Sequence, residues 1–590
     1  MRLHLTSPGE PLPGLAEIAA EYPWRFGDGP DDVRIRLVPG DAPGYAIERE
    51  EGGWRLTYDR PRDAYRALGV AMGGLSPGAG ASPFRSLALM LDVSRNAVMR
   101  PASIASYLRK CALMGIDTLW LYMEDVYELP GEPLFGYARG AYTAAELRAI
   151  DDQAHRLGIE VIPCVQTLGH LEQILQWPRF WPLRDTERVL LAADDDGYAL
   201  ISRMIETVAS CFRSRRVHIG MDEAHGIGSG QYRRRFGERP PFEILSAHLE
   251  RVVAICEERG LRPMIWSDMY FRLGSAIDHY YDPDSVIPSW VAGGIPGPVE
   301  LVYWDYEHGE RAFYDEWIRR HREGLGKDPV FAASGWTHHR MWAALPKAFA
   351  TLSAGMAAAR DAGLAEAAVT LWGNDGTECD LFSALPAVQR FADLAYGAAA
   401  DDLAANFAGS CDATLDGWLA AAELDLLPGS GDPVAWRGNP AKWLLWHDPV
   451  LGFLTSGLPP WLAGHYDDLA ARLARAAQVR PGDARLAFPA LLAEVLAAKV
   501  RLHAGDHTGL PGLADGVRRL RELHRRVWCG DNKPFGWDVI DRRYGGLLAR
   551  LDHLAEHGSP DYERHDPYPD GGAIAQCLPY ARVASAGFIS

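Results

Sequence analysis

The sequence predicts a (β/α)8 barrel with a small N-terminal α/β unit and an α-helical C-terminal part. Three observations carry that prediction. Between residues 84 and 395, eight short apolar runs alternate with amphipathic helix patterns, as strands buried on both faces of a parallel sheet do. Eight such units in roughly 300 residues match a closed barrel better than an open sheet. The 590-residue chain also exceeds what one core supports, since cores rarely grow past about 250–300 residues.

In chain order, residues 1–80 read as the small α/β unit. Residues 33–38 alternate at period two, 45–48 and 54–58 read as two further short strands, and 63–75 as a helix. A Pro/Gly-rich stretch at 77–83 reads as a linker. The eight barrel strands are expected at 87–93, 118–124, 160–167, 216–223, 263–269, 300–306, 330–336 and 368–375. Helices are expected between them at 101–114, 143–157, 242–259 and 345–362. Residues 396–590 show no strand series but four helical stretches, at 466–477, 484–503, 513–526 and 539–557.

A net charge of −18 with no Lys/Arg block argues against nucleic-acid and anionic-membrane partners. The 8 cysteines are scattered without CxxC spacing, as free thiols in a reducing compartment are. The first residues lack a signal-peptide apolar region, and no run of about 18 apolar residues exists. These features predict a soluble, cytoplasmic protein. The helical part leaves room for a homodimer face, although no patch singles itself out.

Barrel chemistry sits at the C-terminal ends of the strands. Those ends read Asp92-Val-Ser-Arg95, Glu124-Asp125, Gly169-His170, Asp222-Glu223, Trp266-Ser-Asp268, Trp304-Asp305-Tyr306, Trp336 and Trp372-Gly-Asn374-Asp375. Most informative is His218-Ile-Gly-Met-Asp222-Glu223, where a buried strand runs into two adjacent acids. Desolvating neighbouring carboxylates is costly, so a bare helix cap or salt bridge is the weaker account. Each Trp alone is as readily core as site, but Trp at four strand ends suits a sugar site, where flat rings stack on apolar sugar faces. His170 alone reads as a satisfied buried histidine, and Arg95 as a partner of Asp92. There is no HxH or HExxH, no phosphate-binding Gly loop, and no GxSxG elbow at a strand-to-helix turn. No metal or other cofactor is expected.

Taken together these segments resemble glycoside hydrolase family 20, the β-N-acetylhexosaminidases. The His-x-Gly-x-Asp-Glu stretch at 218–223, the Asp-x-Ser-Arg segment at 92–95, the Gly-His at 169–170 and the strand-end tryptophans carry the resemblance. Asn96-Ala-Val, Tyr122-Met-Glu-Asp and the 135–142 segment look closest to a bacterial cytoplasmic branch with a helical C-terminal domain. The resemblance implies an exo-acting enzyme releasing terminal β-linked N-acetylglucosamine, and N-acetylgalactosamine as a further option. In it Glu223 is the general acid/base and Asp222 orients the 2-acetamido group. Arg95 binds sugar hydroxyls, and His170 pairs with a second-strand acid, Glu124 or Asp125. Trp266, Trp304 and Trp372 shape the pocket. The chain departs from the family in three places. Glu124-Asp125 stands where many members have Asp-Asp. Asn374 stands where many have a Glu that binds hydroxyls, with Asp375 and Glu378 as substitutes. The family's seventh-strand Tyr and Asp lack counterparts, leaving Tyr306, Trp336 and His338 for that work.

The chemistry fits these residues. Neighbours on a strand face opposite ways, so Asp222 and Glu223 would not flank one bond as acid and nucleophile. An orienting Asp beside an acid/base Glu suits attack by the substrate's own acetamido oxygen, with retention of configuration. Burial and the adjacent charge are expected to raise the Glu223 pKa. Two alternatives remain: a two-carboxylate retaining glycosidase with Asp268 or Asp305 as nucleophile, and a catalytically silent sugar-binding barrel.

Overall fold

A computed structural model describes residues 1–7, 12–455, 457–479, 484–563, 565, 567–568 and 572–584. Five strands form an N-terminal sheet: β1 (Leu3–Thr6), β2 (Val33–Pro39), β3 (Tyr45–Glu50), β4 (Gly53–Tyr58) and β5 (Gly78–Gly80). Their spatial order is β1-β2-β4-β3-β5, with β1, β2 and β4 parallel and β3 antiparallel to both its neighbours. The expected linker therefore opens with a short edge strand, which pairs through Tyr45–Gly80. Helix Pro61–Gly73 packs this sheet onto the rest of the molecule. Close approach explains two of its neighbourhood glycines: a Cβ on Gly69 would sit 2.1 Å from Leu113 O, and one on Gly409 would sit 2.0 Å from Gly69 O.

The next eight strands close into a parallel barrel. They are β6 (Ser86–Asp92), β7 (Thr118–Tyr122), β8 (Glu160–Cys164), β9 (Arg216–His218), β10 (Arg262–Trp266), β11 (Glu300–Trp304), β12 (Val330–Ser334) and β13 (Glu366–Leu371). Ring closure is made by β13 on β6, Glu366 to Leu371 against Ser86 to Leu91. Met90, Trp120, Ile162, Met264, Val302 and Ala332 fill the barrel interior, making it a packed core. Every strand stops earlier than its apolar run suggests, most of all β9, which ends at His218. The freed residues form the mouth.

Helices Leu462–Ala477, Ala484–His503, Leu510–Asp531 and Trp537–His557 build the C-terminal part as expected. Among the described residues no helix is long and apolar enough to cross a membrane.

Candidate active site

A cavity of about 300 Å3 opens at the barrel mouth. Arg95, His170, Asp222, Glu223, Trp266, Trp304, Tyr306, Trp336, Trp372 and Asn374 all line it. Residues around this mouth hold unusual backbone: Glu124, His170, Met221, Glu223, Trp336, His339 and Asp375 all have positive φ, between 46° and 74°. Left-handed backbone at side-chain-bearing residues is strained and clusters at functional sites.

That strain explains the geometry of the acid pair. With β9 finished at His218, strand alternation no longer governs Asp222 and Glu223. Met221 (φ 74°) and Glu223 (φ 46°) turn both carboxylates the same way. Asp222 Oδ2 lies 3.3 Å and Glu223 Oε2 lies 3.4 Å from one atom, His170 Nε2. The expectation of opposite-facing acids is thereby corrected. So is the pairing of His170 with a second-strand acid. Asp125 turns away to Arg139 (3.0 Å), and Glu124 accepts from the Tyr122 hydroxyl (3.0 Å) and meets Arg95 Nη1 (3.4 Å). Neither Glu124 nor Asp125 lines the cavity.

Gln166 links these groups and was not singled out from sequence. Its Nε2 donates to Asp222 Oδ1 (2.7 Å) and to the Tyr122 hydroxyl (2.8 Å). Its Oε1 accepts from Met221 N (3.3 Å) and lies 2.0 Å from where a Cβ on Gly220 would stand. Gly220 (φ 70°) is thus required both by its backbone and by that contact. On β6, Asp92 takes Ser94 N and Oγ with Oδ1, and Arg95 Nε (3.0 Å) and Gly373 N (3.0 Å) with Oδ2. The Asp-x-Ser-Arg segment therefore exists to aim Arg95, whose guanidinium lies against the Tyr122 and Trp372 rings.

Electrostatics follow from these contacts. Burial works against the His170 imidazolium, yet Asp222 beside it holds its pKa well above 6.5. In return, and despite burial, His170 and Gln166 hold Asp222 below the usual carboxylate value. Burial, the largest single influence, pushes Glu223 up, but the hydrogen bond and charge of His170, with the charge of His225, together outweigh it and hold its pKa below 4.5. The expected rise is therefore reversed. Burial lifts Glu124 to about 7, against the pull of Arg95. His218, inside the barrel, is pushed down to about 3 by burial; its Nδ1 accepts from Gly220 N (3.1 Å), so it is neutral and structural.

Four further acids are placed outside the cavity. Asp268 is buried, accepts from Glu223 N (3.1 Å), and is driven well above the carboxylate range by burial and by Asp222. Asp305 is 1% exposed and caps its own turn, accepting from Glu307 N, His308 N and His308 Nδ1. Neither is placed as a nucleophile. Asp375 and Glu378 do not substitute for a hydroxyl-binding Glu. Asp375 pairs with Lys442 (3.0 Å), and Glu378 is buried between Lys442 and Arg543, both from C-terminal helices. Their charge is spent on docking that part to the barrel.

Sequence reasoning also missed Tyr280, Glu307, Lys347 and Arg437. Tyr280 donates to Glu223 Oε1 (3.3 Å) and pairs with His225 Nε2. Glu307, Lys347 and Arg437 line the cavity. No motif marks them; only Glu307, directly after Tyr306 at the end of an expected strand, carried a positional signal. Trp336 Nε1 donates to Tyr306 O (2.9 Å), and Trp372 Nε1 to the Tyr306 hydroxyl (3.0 Å). The aromatic wall is therefore one bonded unit.

The family model for the glycosyl hydrolase family 20 catalytic domain matches residues 83–296, and that for the glycoside hydrolase 20C C-terminal domain matches 416–557. Hexosaminidase D of Homo sapiens is 28% identical over 236 residues, 38% of this chain and 46% of that protein. The bovine hexosaminidase D is 27% identical over 202 residues, 33% of this chain and 55% of that one. The chain thus spans about half the length of the curated relatives it matches. A solved exo-β-N-acetylglucosaminidase of family 20 from Vibrio harveyi, in complex with N-acetylglucosamine, has the same fold, with a TM-score of 0.52 at 14% identity over 71% of this chain and 74% of that one.

Proposed function

Because the chain belongs to glycosyl hydrolase family 20, we propose that it is an exo-acting β-N-acetylhexosaminidase, working with retention through an oxazolinium intermediate. One observation carries the mechanism. Asp222 and Glu223 lie on the same side and share His170, while the two acids expected as alternative nucleophiles sit outside the cavity. The nucleophile is then the substrate's own acetamido oxygen, which attacks C1 as the glycosidic bond breaks. Glu223 gives a proton to the leaving oxygen. Asp222 accepts the acetamido N–H, which grows more acidic as the ring closes, and stabilises the charge. The Tyr306 hydroxyl lines the cavity and accepts from Trp372, and as a hydroxyl it can turn its own proton to the acetamido oxygen. Water then opens the oxazolinium, with Glu223 taking its proton. Free cysteines, such as the buried Cys111 and Cys256, support work in a reducing, cytoplasmic compartment.

The test is initial rates on matched aryl β-glycosides. The N-acetylglucosaminide should be hydrolysed and the plain glucoside should not. Glu223→Gln should lower turnover by about 10²–10⁴, the usual worth of a general acid. Comparable rates on both sugars would sink substrate assistance, and tight binding without turnover would favour a silent sugar-binding barrel.

A further inference from the structure

Two residues that line the cavity, Arg437 and Cys577, come from beyond the barrel, and Cys577 lies outside both spans that match the family models, 83–296 and 416–557. We propose that the segment 573–580 is the end wall of the sugar pocket, across from Glu223, and that Cys577 is the residue through which this wall meets the ligand. This rests on the hexosaminidase reading of the cavity.

The barrel order places the wall. Glu223 follows β9, and β13 stands four strands away from β9 in either direction around the ring. The segment is fastened on that far side. Tyr580 N donates to Asp375 Oδ2 (3.1 Å) in the loop after β13, and the Arg543 guanidinium lies 4.2 Å from the centre of the Tyr580 ring. Glu223 protonates the leaving oxygen, so the leaving group departs on the β9 side. The opposite wall then faces the end of the sugar away from the bond that breaks.

The backbone on both sides of Cys577 is held by one buried side chain and its own amide. Asn439 N donates to Gln576 O (3.3 Å), Asn439 Nδ2 donates to Leu578 O (3.2 Å), and Leu578 N donates to Asn439 Oδ1 (3.0 Å). The same Nδ2 donates to His339 O (3.1 Å) in the loop after β12, which ties the clamp to the mouth. Close approach seals the joint, since a Cβ on Gly438 would stand 2.2 Å from Ile574 O. Cys577 is therefore presented to the cavity from a fixed frame. At about 300 Å3 the cavity is at the small end of ligand pockets, so a displacement of any wall is felt. The bland account, that 573–580 only packs the C-terminal part onto the barrel, makes the thiol indifferent to ligand. The proposal makes it sensitive.

The thiol supplies the test, because Cys577 is exposed whereas Cys529 is half-buried and the other six cysteines are buried. The full-length wild type and Cys577→Ser are treated with methyl methanethiosulfonate, with and without N-acetylglucosamine. Thiolate attack on the reagent's sulfenyl sulfur leaves a methyl disulfide on the protein and releases methanesulfinate, and peptide mass spectrometry shows which cysteine carries it. N-acetylglucosamine at about ten times its Kd should slow modification of Cys577 about 10-fold. The labelled wild type should lose about 10–100-fold in kcat/KM, as extra atoms forced into a filled site do. The loss should be equal on 4-nitrophenyl N-acetyl-β-glucosaminide and on N,N′,N″-triacetylchitotriose, whose leaving groups differ, and dithiothreitol should reverse it. Cys577→Ser should not respond to the reagent, and the wild-type arm stands even if that variant does not fold. Protection without loss, loss without protection, or a response in Cys577→Ser overturns the proposal and leaves the functional reading standing. So does a loss confined to the larger leaving group, which would put Cys577 on the Glu223 side. A wild type that neither hydrolyses the aryl substrate nor binds N-acetylglucosamine by calorimetry overturns both.

Discussion

His170 Nε2 lies 3.4 Å from Glu223 Oε2, so the proposed general acid and a buried imidazole are one hydrogen bond apart. The proton belongs to His170, whose pKa is raised, and not to Glu223, whose pKa is lowered. Transfer along that bond gives neutral His170, protonated Glu223 and ionised Asp222, the set that catalysis needs. The cluster should keep this proton until the pH passes the raised His170 value, above 6.5. On the acid side, activity should persist until Asp222 is protonated, below 3.8. kcat/KM, which reports the free enzyme, should therefore hold level between these limits and fall outside them. His170→Asn should move the alkaline limb to lower pH and cost about 10-fold or more at pH 7, since general acid catalysis is worth 10²–10⁴. The folded-state value of His170 lies above its unfolded one. Its stabilisation is thus fully present below about pH 6.5 and lost as pH rises through the folded value, and His170→Asn should flatten that part of the stability profile. An alkaline limb unmoved in the variant would refute the shared proton.

Tyr280 bonds the other oxygen of Glu223. A hydroxyl donating to the ionised carboxylate favours that form. Tyr280→Phe should raise the Glu223 pKa and change kcat by about 2–10-fold, the worth of one ordinary hydrogen bond. The diagnostic is the pH profile. A shift in the limb set by Glu223 supports contact with the general acid, whereas a pH-independent loss points to simple packing against Trp304, whose ring centre lies 5.5 Å away.

Much of this architecture is legible in the sequence, and the exceptions share a cause. Apolar runs such as Leu119, Leu121 and Val369 marked the strands because a parallel barrel buries both faces. Trp266, Trp304 and Trp372 stood out because the strand ends face one mouth. The turn from Gly220 to Glu223 was not legible, since positive φ at Met221 and Glu223 is imposed by tertiary structure rather than local preference. Nor were pairings across the chain: Lys442 and Arg543 claim Glu378, and Arg437 reaches Glu307, from helices and a loop that no spacing ties to the barrel. The fall in the Glu223 pKa has the same origin. Adjacency to Asp222 is visible in sequence, whereas the His170 contact that outweighs it is not.

Glu378 supplies a stability prediction. It is 2% exposed and lies between Lys442 and Arg543, with Nη1 of Arg543 at 2.5 Å. Removing one partner of a buried ion cluster leaves charge uncompensated, at a cost of about 3–5 kcal/mol. Glu378→Ala should therefore lower the unfolding midpoint in denaturant sharply. Because the carboxylate does not line the cavity, KM of the folded fraction should stay near the wild-type value. A raised KM with unchanged stability would return Glu378 to the sugar site.

Gly220 offers a test of how the motif works. Alanine there would hold a left-handed φ of 70° and press its Cβ onto Gln166 Oε1, 2.0 Å away. The strain alone should cost about 1–3 kcal/mol, visible as a lower Tm. Gln166 must swing aside to admit the methyl, and in doing so it gives up its 2.7 Å bond to Asp222. Activity should fall further than stability explains. The double variant Gly220→Ala/Gln166→Ala separates the two effects: it should recover part of the Tm, because the clash is gone, and none of the kcat, because Asp222 still lacks its donor. Recovery of both would mean that Gln166 only fills space. Recovery of neither would put the whole effect on the backbone, with the glycine kept for its φ and not for the room it leaves beside Asp222.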